Sequence, residues 1–145
     1  ATRLRIAASA SACARISARG IRNLAVHTLA SADIILMARG PRNYAVPVGH
    51  VLPTPSIVSG SFHVLRPDEK RVIPAFLAWL LNQERAQTFM RINNSGTTIP
   101  MITLDVLRAP PVLLPSLAVQ RHVAELNALV EHEHNLMTQL TTERR

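Results

Sequence analysis

The sequence predicts an α/β fold: a single small mixed domain over residues 1–115, followed by a long C-terminal coiled-coil-forming helix over residues 116–145. Three observations lead there. Ile34, Ile35, Leu36 and Met37 form a continuous apolar run that stops at Arg39, Gly40 and Pro41, which is how a strand buried on both faces reads. Over residues 75–92 apolar side chains recur at helical spacing behind Pro74, a residue the first turn of a helix accepts because its amide is unbonded there anyway. Residues 117 to about 142 are amphipathic throughout, which at about 1.5 Å per residue gives a helix of roughly 40 Å, longer than a small domain can cover.

The remaining elements follow in order. Over residues 4–16 apolar residues alternate roughly with Arg and Ser, predicting a strand, a loop and a second strand. A turn around Gly20 leads to a short strand over residues 24–29, which ends at the polar break of residues 31–33. After the apolar run, residues 43–48 (NYAVPV) and 61–65 (SFHVL) read as further strands, joined by a connection that holds Pro53 and Pro55. Pro67 and Asp68 open a turn. Phe76, Leu77, Leu80 and Leu81, then Phe89, Met90 and Ile92, flank a polar centre over residues 82–87, so this segment is one helix or two short ones. Residues 93–96 form a turn, and residues 99–107, with their β-branched side chains, read as extended before Pro110 and Pro111. Ser116, after Pro115, is the expected N-cap of the last helix.

On that helix Val119, Val123, Leu126, Val130, Met137 and Leu140 trace a heptad seam interrupted at Glu133, and His122, Leu129 and Leu136 widen it. The expected dimerisation face is Val119, Val123, Leu126, Leu129, Val130, Leu136, Met137 and Leu140. Trp79 falls among Phe76 and Leu80 at core spacing.

Composition limits the function. A hydrophobic content of 48% over 145 residues is enough for one core and argues against disorder. The net charge of +7 favours polyanionic partners, and 15 of the 16 basic residues are Arg, with Lys70 the exception. That bias suits bidentate contacts to phosphate and guanine, and it is equally what a GC-rich coding sequence produces. The lone Cys13 excludes an internal disulfide and a multi-cysteine metal site. The opening residues lack the apolar core of a signal peptide, and no window reaches the roughly 20 apolar residues of a membrane span. A soluble, cytoplasmic protein with no membrane association is expected. His132 and His134 lie two apart on a helix and cannot chelate together as an i, i+4 pair would, so with His122, Glu131 and Glu133 they read as a solvated face. There is no glycine-rich nucleotide loop, no nucleophile elbow and no phosphodiesterase-like carboxylate cluster, and Ala109-Pro110-Pro111-Val112 lacks the polar residue and the aromatic of an adenine methyltransferase loop. No catalytic activity, metal or cofactor is expected.

Four segments in order carry a family likeness. They are Asp33 before the apolar run and Arg39-Gly40 after it; the helix opening of residues 74–82 (PAFLAWLLN); the turn and strand start Gly96, Thr97, Thr98, Ile99; and residues 112–117 (VLLPSL) followed by Gln120 and Arg121, with Ser116 where a second proline is usual. This series resembles the target recognition domain and spacer helix of specificity (S) subunits from type I restriction-modification enzymes. The resemblance implies a DNA-reading module without chemistry of its own, which brings a DNA adenine methyltransferase, and in some systems a nuclease, to a bipartite target. Its implied partners are double-stranded DNA, a DNA methyltransferase subunit and a nuclease subunit.

Loops on a rigid scaffold are the natural base readers of such a module. The first expected set is Arg39, Arg42, Asn43 and Tyr44, since Arg pairs with guanine and Asn with adenine. A second is Arg91, Asn94, Ser95, Thr97 and Thr98, which serve equally well as helix-capping and turn residues. In the family two spacer helices pack antiparallel and separate two recognition domains. One chain with a single domain regains that shape as a homodimer on a palindromic target, or the 145 residues are half of a longer subunit with an asymmetric target. A rival reading is a helix-mediated interaction protein that does not bind DNA.

Overall fold

The computed structural model describes residues 28–49, 56–58, 60–94, 100–108 and 114–143. The elements expected over residues 4–16 and 19–23, most of the strand over 24–29, and Ser95, Thr97 and Thr98 lie outside these residues. The apolar run forms β1 (Ile34–Met37), the central strand of a three-stranded sheet. It pairs antiparallel with β2 (Ala45–Pro47) on one side and β3 (Phe62–Leu65) on the other. Ile34 and Leu36 are fully buried and Ile35 nearly so, so both faces of β1 are covered, and burial of each such side chain stabilises the fold by about 1.5–3 kcal/mol. Val64, Leu65, Ala78, Met90 and Ile102 complete the same core.

Among the described residues β2 is an edge strand, and side chains satisfy its outer edge. Met37 donates to the carbonyl of Tyr44 and Val48 donates to that of Asp33, so residues 44, 46 and 48 turn their backbone groups toward β1 and residues 43, 45 and 47 turn theirs away. At Ala45 the side-chain amide of Asn82 accepts from the N–H (2.8 Å) and donates to the carbonyl (2.7 Å), as a neighbouring strand would. Gln87 does the same at Asn43. Pro47 has no N–H to satisfy, and a proline is at home on such an edge.

The helical segment is two helices, α1 (Pro74–Asn82) and α2 (Glu84–Asn93), with Pro74 in the first turn of α1 as expected. Gln83 is extended between them (φ −68°, ψ 147°) and bonds both ways: its side chain donates to the Trp79 carbonyl, and its own carbonyl accepts from Gln87 N–H. Trp79 packs beside Phe76 with ring centroids 5.6 Å apart.

The extended reading of residues 99–107 is corrected by the structure. Only the front of this segment is strand-like, at the bridge between Met101 and Arg39, and residues 104–108 form the short helix α3 (Leu104–Arg108). Local side-chain bonding decides this against β-propensity. Thr103 accepts from the N–H of Val106 and of Leu107, and Asp105 pairs with Arg108 at i, i+3, while Val106 and Leu107 pack on the core.

The last helix, α4 (Leu117–Glu143), starts at Ser116, whose hydroxyl lies 3.5 Å from Val119 N and whose carbonyl accepts from Gln120 N–H. Its first turns pack on α1, and residues 128–141 are exposed on every side. Gln120 is fully buried at that junction. It accepts from Ile73 N–H (2.9 Å) and donates to the carbonyls of Arg71 (3.1 Å) and Pro115 (2.8 Å), tying helix to domain. Among the described residues no helix is long and apolar enough to cross a membrane.

Candidate functional site

The loop between β1 and β2 is held from two directions. Beyond β1 the chain continues briefly as a partner for the segment before α3: Ile102 N–H donates to the Ala38 carbonyl (2.9 Å) and Gly40 N–H to that of Pro100 (3.0 Å). Gly40 has φ 118°, a conformation that side chains rarely adopt, and it reverses the chain toward Pro41. Toward β2 the in-and-out alternation of the strand already operates: Arg42 and Tyr44 are exposed, and Asn43 between them is buried.

Asn43 is therefore corrected from a base reader to a loop fastener. Its side-chain amide donates to the carbonyl of Met37 (2.8 Å), its Oδ1 faces Asn94 Nδ2 (3.4 Å), and its backbone N–H and carbonyl are both taken by Gln87. No polar group of Asn43 is left to point outward. Arg39 and Arg42 contrast with it, since both are exposed and, among the described residues, neither pairs with a carboxylate.

The contact between Asn43 and Asn94 joins the two expected clusters. Arg91, exposed near the end of α2, donates to Thr88 Oγ1 (3.0 Å) and lies 3.8 Å from Glu84, a solvent-screened pair worth little. Asn94 follows α2 directly, and its Oδ1 is buried with no hydrogen-bond partner among the described residues. Of the second set, Asn94 thus touches the loop at Asn43, while the described partners of Arg91 lie within α2.

Elsewhere charge is used to build the domain. Asp33, fully buried, accepts from Arg66 Nε and Nη2 (both 2.7 Å) and from Ala30 N–H (2.8 Å). The Arg66 pKa is raised by its hydrogen bond to Asp33, opposed by burial and assisted by the Asp33 charge, so this guanidinium stays protonated at any ordinary pH. His63 lies 2.6 Å from the Ile102 carbonyl through Nε2 and so belongs to the fold. Asn82, Gln87, Arg66 and His63 had no sequence signal as a group, because their partners are backbone atoms or residues up to 44 positions away.

On α4, Val119, Leu126, Leu129, Val130, Leu136, Met137 and Leu140 are exposed and Val123 is half-buried, an apolar stripe that the domain itself leaves uncovered. A family model described as the type I restriction modification DNA specificity domain matches residues 26–143, a span that holds every element above. No curated protein matches the chain.

Proposed function

This chain belongs to the type I restriction modification DNA specificity domain family, and we propose that it directs a DNA adenine methyltransferase, joined in some systems by a nuclease, to a bipartite target. In this reading residues 1–115 recognise one half of the target and residues 116–145 are the spacer that meets a second helix. One observation carries it: Arg39 and Arg42 stand exposed, with no carboxylate partner among the described residues, on a loop whose backbone is fastened at Asn43. A guanidinium presented in this way meets the acceptors of guanine in the major groove, and such a pair discriminates by about 1–3 kcal/mol against the wrong base. In the same reading Tyr44, Arg91 and Asn94 add contacts to the DNA, with Ser95, Thr97 and Thr98 following in the chain.

The deciding experiment is a genome-wide adenine methylation map in cells that carry the methyltransferase with and without this chain. A split motif that depends on the chain supports the proposal, and an active, bound methyltransferase with no new motif sinks it. In a binding assay Arg42→Ala is expected to relax preference at one base pair by about 1–3 kcal/mol instead of weakening all sequences alike. Wild-type binding should fall steeply with salt as counterions are released, and a flat response would favour the rival reading of an interaction protein.

The stripe on α4 supports the spacer role. Pairing with a second α4 gives a homodimer and palindromic halves, while a helix supplied by another chain or another part of the same subunit gives unlike halves. A Leu126→Glu, Leu129→Glu pair should abolish self-association in sedimentation while leaving the domain folded, since both side chains are exposed. Unchanged association would remove the stripe from the interface.

A further inference from the structure

We propose that Gln87 is a positioning residue for base recognition, one that sets the directions in which Arg42 and Tyr44 leave the backbone. The inference rests on the reading of the 39–44 loop as the base reader and adds a residue from outside it. Gln87 Oε1 accepts from the N–H of Asn43 (3.3 Å), and Nε2 donates to the Asn43 carbonyl (2.9 Å) and to the Leu81 carbonyl (2.8 Å). Both amide hydrogens are thereby used, one to grip the loop and one to anchor the grip in the last turn of α1.

The two loop atoms held are the informative part. The N–H of Asn43 belongs to the peptide plane shared with Arg42, and its carbonyl belongs to the plane shared with Tyr44. Fixing both planes fixes the outward vectors of the two exposed neighbours, while Asn43 Nδ2 at the Met37 carbonyl blocks rotation from within. Water would satisfy the same two backbone groups without holding them in one orientation. Base discrimination needs a guanidinium presented in a narrow range of positions, since a bidentate contact fails when its two bonds cannot form together. A non-specific phosphate contact has no such requirement. The grip should therefore matter to sequence preference far more than to overall attraction.

The test uses the full chain and a pool of duplex DNA with a randomised segment, from which wild type, Gln87→Met, Gln87→Glu, Arg39→Ala and Arg42→Ala each select a motif. Gln87→Met, close in length and without hydrogen-bonding capacity, is expected to lose discrimination about tenfold at the same base positions that Arg42→Ala blurs. Its salt dependence should stay that of wild type, because no charge that meets phosphate has been removed. A purely structural role would lower the unfolding midpoint and leave the selected motif intact, so a folded Gln87→Met that selects the wild-type motif overturns the proposal. Should that variant fail to fold, Gln87→Glu decides: it can still accept from Asn43 N–H but faces two carbonyls with a carboxylate, and a wild-type motif from it is equally fatal. A motif altered by Arg42→Ala and untouched by either Gln87 variant defeats the positioning role alone. A motif that neither Arg39→Ala nor Arg42→Ala changes defeats the reading of the loop itself.

Discussion

Arg66→Ala is expected to destabilise the domain by about 3 kcal/mol, because it leaves a buried carboxylate without its counter-charge. Asp33 is fully buried and takes two 2.7 Å bonds from one guanidinium, so the substitution leaves it, among the described residues, with Ala30 N–H as the remaining donor to its side chain. Asp33→Ala should cost less, since the Arg66 side chain is 44% exposed and can return to water. Urea unfolding of the two variants measures the order directly. Equal losses would mean that the carboxylate is not desolvated in the folded chain. Arg66→Lys should fall between wild type and Arg66→Ala, since an ammonium supplies charge without the planar fork that matches both carboxylate oxygens. The pair secures the end of the sheet away from the β1–β2 loop, where Val48 N–H donates to the Asp33 carbonyl, so the loss should show in stability before it shows in the motif selected.

Asp33 also shows what a sequence can and cannot disclose. Its place before the apolar run was readable, but its partner lies 33 residues away on the far side of β3, and nothing in local pattern selects Arg66 over its neighbours. Elements whose signal is local were legible. β1 is a continuous apolar run, Pro74 marks the start of α1, and Ser116 marks the start of α4. The extended reading of residues 99–107 fails because the β-branched Ile99, Ile102 and Val106 mask Thr103 as a cap and the Asp105–Arg108 pair, both of which favour a helical turn. The loop at residues 39–44 is legible from its position between strands, but the inward turn of Asn43 is not. Whether an amide faces solvent or core depends on strand alternation counted from Ala45 and on Gln87, a residue of another element. Long-range side-chain to backbone bonds leave no periodicity behind, and they determine which of the polar residues in a loop are free to read a ligand.

Gln120 is the second position where one substitution should have a large effect, and here the effect reaches assembly. It is a fully buried amide with three backbone partners, and its Oε1 satisfies Ile73 N–H at the head of α1, where a helix offers no partner of its own. Gln120→Leu keeps the bulk and removes every bond, so a loss of about 3 kcal/mol is expected in urea unfolding. A loss below about 0.5 kcal/mol would show that water replaces the amide there, in the range of an ordinary surface change. Gln120→Glu should be no milder: it keeps the acceptor for Ile73 N–H but sets a buried carboxylate oxygen against the carbonyls of Arg71 and Pro115. The consequence for function follows from lever length. α4 is docked through its first turns and exposed over residues 128–141, so a small change of angle at Gln120 becomes a large displacement at the far end of a helix of about 40 Å. If the helix sets the distance between half-sites, a folded Gln120 variant should accept a wider range of spacings in the same methylation map while each half keeps its bases. Arg42→Ala should do the reverse, blurring a base at constant spacing. Spacing and base preference that moved together in both variants would mean that helix and loop act as one unit, against the division of labour proposed for residues 1–115 and 116–145.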